Sequence, residues 1–69
     1  MSESLGEALP KEMARVRDQL MPAYAEIGPA GAVALACMRA HLDQAAKAMV
    51  EGDLVEMIRV YKALKGCEL

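Results

Sequence analysis

A single small all-α domain of three helices is what this chain predicts, on three observations. Apolar residues recur at intervals of three and four through most of its length, which lays them along one stripe of a helix. The runs are separated by Gly28-Pro29 and by Gly52-Asp53, residues that end helices. No segment alternates apolar with polar residues and no Asn-Gly turn occurs, so neither strands nor hairpins are expected.

Residues 1–8 are polar, lack periodicity and are expected to be flexible. The first helix is expected to begin near Pro10, because a proline in the first turn removes an N–H that has no helical partner. Its stripe is Leu9, Met13, Val16, Leu20, Tyr24 and Ile27. Pro22 lies inside that run and is expected either to kink the helix or to divide it near Leu20.

A second helix is expected from Ala30 or Gly31 to Val50. Its Leu35, Met38, Leu42, Ala45 and Met49 follow the three-four alternation of a coiled-coil seam. Val33, Cys37 and Ala40 widen the apolar surface, and a helix apolar on several sides is packed on several sides. The third helix follows Gly52, with Asp53 and Glu56 spaced as a capping box. Leu54, Met57, Ile58, Tyr61 and Leu64 form its stripe, and Gly66 is expected to cap its end.

Length and composition narrow the function. A 69-residue monomer buries only about 60% of the surface its unfolded chain exposes. With no Trp or Phe, and only Tyr24 and Tyr61 for aromatic bulk, the core is thin. A homodimer is therefore expected, with Leu35, Met38, Leu42 and Met49 as its interface. Met57, Tyr61 and Leu64 are the candidates for a surface that meets a different protein, since aromatic and Met side chains are favoured at interfaces. A Met-containing surface also adapts to more than one partner.

A net charge of −2 offers no general attraction to phosphate. The start of the chain, MSESLGEALP, has neither the basic nor the apolar region of a signal peptide. The apolar stretch from Ile27 to Met38 is too short to span a bilayer. Two cysteines at unremarkable spacing fit a reducing compartment, so a cytoplasmic protein is expected.

No catalytic, cofactor or metal site is expected. Cys37 and His41 are one helical turn apart, the geometry of half a metal site or of a nucleophile–base pair. Only Cys67 and scattered carboxylates remain as further ligands, and Asp43 points away from His41. A buried cysteine beside a surface histidine explains the pair better, and a Cys37–Cys67 disulfide is not expected in the cytosol.

A helix-turn-helix is the alternative reading. Ala48, Gly52 and Ile58 match its small residue, turn glycine and core aliphatic. Against it, Leu54, Val55 and Glu56 would face the bases without donors, while Arg59, Lys62 and Lys65 favour the helix C-terminus in any protein. The hairpin also looks like half of a tetratricopeptide-type repeat, but no second copy follows.

Three stretches carry a resemblance that spans nearly the whole chain. They are Leu9-Pro10-Lys11-Glu12-Met13-Ala14-Arg15-Val16-Arg17, then Glu26-Ile27-Gly28-Pro29-Ala30-Gly31, and the ending from Glu51-Gly52-Asp53 to Ala63-Leu64-Lys65-Gly66. Their layout resembles small proteins of Mu-like bacteriophages and prophages of proteobacteria, and among these the quorum-sensing anti-activators of Pseudomonas phages. No signature motif is part of the resemblance. It implies a dimeric helical protein of the infected host's cytoplasm, with no enzymatic activity. Such a protein would bind a LuxR-type (LasR-like) transcriptional activator, block its use of DNA, and inhibit the type IV pilus assembly ATPase. Glu7, Glu12, Asp18, Asp43, Glu51 and Glu56 are the carboxylates available to meet a basic partner.

Overall fold

The computed structural model describes residues 4–67. The described chain is helical nearly throughout: α1 (Leu5–Arg15), a π turn (Val16–Leu20), α2 (Met21–Glu26), a 3-10 turn (Gly28–Gly31), α3 (Ala32–Glu51) and α4 (Leu54–Lys65). Helical structure is continuous from α1 through α2, so the architecture is three helices and all-α, as the punctuation predicts. None of these helices is long and apolar enough to cross a membrane.

The first helix starts earlier than expected. It begins at Leu5, which puts Pro10 inside it. Ser4 opens the first turn with its carbonyl, accepting from the Glu7 and Ala8 N–H groups at 3.0 and 2.8 Å. Pro10 leaves the Gly6 carbonyl without its helical donor, but both residues are exposed and water can take that place. Leu5 rests against the core and Leu9 is fully buried, so apolar packing anchors the extra turn. Of the stretch expected to be flexible, residues 5–8 are helical, and residues 1–3 lie outside the described residues.

Pro22 neither ends the helix nor divides it. Its ring would collide with the Asp18 carbonyl of a regular helix. The chain widens into a π turn just before it, and the Met21 N–H donates five residues back to the Val16 carbonyl. An extra residue in one turn rotates everything beyond it by about 100°. Beyond the turn Met21 and Tyr24 pack against the core, while Ile27, just past the end of α2, leaves the expected stripe for solvent. The chain then reverses tightly. Gly31 is buried so close to α2 that a β-carbon there would collide with the Tyr24 carbonyl.

The α3–α4 turn matches its sequence signals closely. Gly52 adopts the left-handed conformation at φ +68, which glycine reaches without steric cost. The Asp53 N–H returns to the Ala48 carbonyl at 3.0 Å and the Gly52 N–H to Met49 at 3.3 Å, a Schellman ending. The Asp53 carboxylate accepts from the Glu56 N–H at 3.2 Å. Only that half of the capping box forms, because the Glu56 side chain pairs with Arg59 instead, at 3.1 Å.

Among the described residues nine apolar side chains are buried and make the core, three from each helix: Leu9, Val16 and Leu20; Met38, Ala45 and Ala48; Met57, Val60 and Leu64. At the far end of α4, Gly66 is right-handed rather than left-handed, at φ −75. The capping comes from Arg15 instead. Its Nη2 donates to the Leu64 and Cys67 carbonyls at 3.0 and 3.2 Å, and its Nε to Glu12 at 2.9 Å. The cation adds a second donor to the Leu64 carbonyl, which already accepts from the Cys67 N–H at 3.0 Å, and it opposes the negative end of the helix dipole.

Arg15 thus ties the first helix to the end of the third. Replacing it with Ala is expected to cost about 1–2 kcal/mol of unfolding free energy. Arg59→Ala, which removes an exposed pair, should cost less than about 0.5 kcal/mol. Urea titration of both variants checks this, and equal losses would contradict the capping role.

Candidate functional site

The residues that suggest chemistry do not assemble. Cys37 is exposed, Cys67 is half-buried with its Sγ 3.5 Å from the Ala63 carbonyl, and both thiols are free. His41 is half-buried, and its Nδ1 has no hydrogen-bond partner among the described residues. No group of three or more His, Cys, Asp or Glu side chains is placed to hold a metal ion among them. Cys37 is therefore not the buried small hydrophobe that its place in the helix suggests.

The expected dimer seam mostly faces the chain's own helices. Met38 is core, Leu42 packs against the core, Leu35 is half-buried, and only Met49 reaches the surface. Both other helices pack on α3, and they consume the stripe that would otherwise serve a second copy.

The expected partner surface on α4 needs a similar correction. Met57 and Leu64 are buried, and Tyr61 is half-buried with the Lys65 Nζ 5.6 Å from its ring centroid. The side chains that α4 turns inward follow 57, 60 and 64, a spacing of three and four that includes Val60. The stripe read from the sequence shares Met57 and Leu64 with this line but omits Val60 and includes Leu54 and Ile58, which are exposed. Those two, with Val55, face outward.

The exposed large apolar residues are concentrated in one short stretch of the chain. Among the described residues seven large apolar side chains are exposed, and five of them fall between positions 49 and 58, across the Gly52 turn. Val50 is 88% exposed, Val55 67%, Leu54 63%, Ile58 47% and Met49 37%. A single apolar residue on a surface needs no explanation, whereas several exposed within one short stretch are the kind of feature that marks an interaction site. Carboxylates are interleaved with it. A groove of about 250 Å³ between α3 and α4 is lined by Gln44, Lys47, Ala48, Glu51, Asp53 and Glu56.

Positions 54–56 are also where a helix-turn-helix would meet base edges. There the structure presents Leu54 and Val55, flanked by Glu51, Asp53 and Glu56, a composition suited to neither bases nor phosphates. Arg59 is paired with Glu56 and Lys65 sits over Tyr61, so two of the three cations of α4 have partners within it.

Neither models of known protein families, nor characterised proteins, nor solved structures match this chain.

The exposed tip contributes little to the fold. Leu54→Ser and Val55→Ser are each expected to change unfolding free energy by less than about 0.5 kcal/mol. By contrast, Leu64→Ala should cost about 2–5 kcal/mol. Thermal or urea unfolding of the three variants separates these roles, and a large loss in either tip variant would place that residue in the core instead.

Proposed function

We propose that this chain is a non-catalytic inhibitor that works by binding another protein through the apolar end built around the α3–α4 turn. The concentration of exposed Val50, Leu54, Val55 and Ile58 at one place carries the reading. Large aliphatic side chains held outward on rigid helices are what a complementary protein surface buries to gain affinity.

The resemblance to phage anti-activators supplies the candidate partner: a LuxR-type quorum-sensing activator of the LasR kind, prevented from using its DNA site. The type IV pilus assembly ATPase is the second candidate. The host cytoplasm is the matching compartment.

A homodimer is part of the proposal. Nine buried apolar side chains are few for a stable monomer. The outer side of α3, with Val33, Ala36, Cys37 and Ala40 exposed, is available to a second copy.

The direct test titrates the protein into a purified LuxR-type activator bound to fluorescent operator DNA and follows anisotropy. Release of DNA is expected with the native chain and not with a Leu54→Asp/Val55→Asp variant. Retention of DNA throughout would contradict the anti-activator reading. For the dimer, light scattering should give twice the 7.4 kDa chain mass. The melting temperature should then rise with protein concentration. A constant 7.4 kDa particle would rule the dimer out.

A further inference from the structure

We propose that two copies of this chain pair through a second stripe of α3, antiparallel about a two-fold axis level with His41, with Arg39 of each copy set against Asp43 of the other. The proposal rests on the homodimer reading above and gives that dimer its surface and register.

Ala32, Ala36, Arg39, Asp43, Ala46 and Val50 are spaced alternately by four and three, so they run down one side of α3, and all six are exposed. This is a different line from Met38, Ala45 and Ala48, which α3 turns toward its own core. Val50, at one end of the stripe, is 88% exposed. Arg39 and Asp43 sit at its middle, and neither has an ion-pair partner among the described residues. They are one turn apart with the cation nearer the N-terminus, the weaker order for a pair within one helix.

The stripe is symmetric about its own centre. Positions 32 and 50, 36 and 46, and 39 and 43 lie equally far on either side of position 41. A two-fold contact sets one patch against itself. With the helices antiparallel about that centre, Ala32 meets Val50, Ala36 meets Ala46 and Arg39 meets Asp43, each of them twice. Two charges without partners inside the chain thus become two ion pairs between copies. The alanines beside them let the helix axes approach to about 8 Å.

Other occupants fit the stripe less well. A parallel pairing in register would bring Arg39 onto Arg39 and Asp43 onto Asp43. Nucleic acid or an anionic membrane would match Arg39 and be repelled by Asp43. The contact takes Val50 and leaves Leu54, Val55 and Ile58 to the other protein.

Sedimentation equilibrium of Arg39→Asp, Asp43→Arg and the swap Arg39→Asp/Asp43→Arg tests this. Each single variant turns both central pairs into like charges and is expected to raise the dimer dissociation constant about tenfold or more. The two move the net charge of −2 in opposite directions, so weakening by both is not a matter of overall repulsion. The swap rebuilds both pairs and should restore the native constant. An equimolar mixture of the two single variants should do the same, because each chain supplies the charge that the other lacks. Helical circular dichroism follows the fold, and single variants that fold only when mixed give the same answer.

A native dimer untouched by either single variant would overturn this surface while the dimer reading stands. So would single variants that neither the swap nor the mixture rescues. A native chain that stays monomeric at every concentration would overturn both.

Discussion

Nine buried apolar side chains among the described residues, three from each helix and none aromatic, carry this fold, with Tyr24 and Tyr61 only half-buried against them. Each such burial contributes roughly 1.5–3 kcal/mol at best, and less for Ala45 and Ala48. Against the entropy of ordering the chain this leaves little margin. The remaining contributions therefore matter more than they would in a larger protein. Ala45 and Ala48 present only methyl groups where α3 faces its neighbours, so little side-chain bulk holds the helices apart. The Schellman ending at Gly52 and the Asp53 cap fix the turn. Arg15 then fastens the first helix to the carbonyls at the end of α4.

The same economy explains the exposed tip. A helix of twelve residues packed against two neighbours turns only a narrow line of side chains inward. In α4 that line is Met57, Val60 and Leu64, and it leaves Leu54, Val55 and Ile58 outside. Stability gives no reason for aliphatic residues at those outward positions. A serine at Leu54 or Val55 would change the stability of the fold only slightly. The proposed binding role supplies the reason.

Local signals in the sequence are legible to the residue. Gly52 and Asp53 end one helix and start the next because their backbone and side-chain chemistry acts within a few positions. What escapes a sequence reading are effects that depend on several helices at once. Pro10 reads as a first-turn proline, but the packing of Leu5 and Leu9 extends the helix past it. Pro22 reads as a kink or a break; the chain stays helical through it, with one extra residue taken up in the turn just before it. The α3 stripe fits a seam between copies as well as it fits an internal core, since periodicity records that a face is buried without recording what buries it. Exposure decides the candidate site too. Tyr61, Met57 and Leu64 stand out by residue type, while the positions that reach solvent follow from the angle at which α4 sits on two neighbours. The long-range bond from Arg15 has no pattern that spacing could reveal.

If one end of this molecule exists to be covered by another protein, a probe at that end must meet the partner and a probe elsewhere must not. A photo-crosslinking side chain placed at Val55, and separately at exposed Gln19 on the π turn, tests this most directly. Each protein is mixed with a purified LuxR-type activator and irradiated. A crosslinked complex is expected from position 55 and none from position 19. Crosslinking from position 19 alone, or equally from both, would contradict the role assigned to the tip.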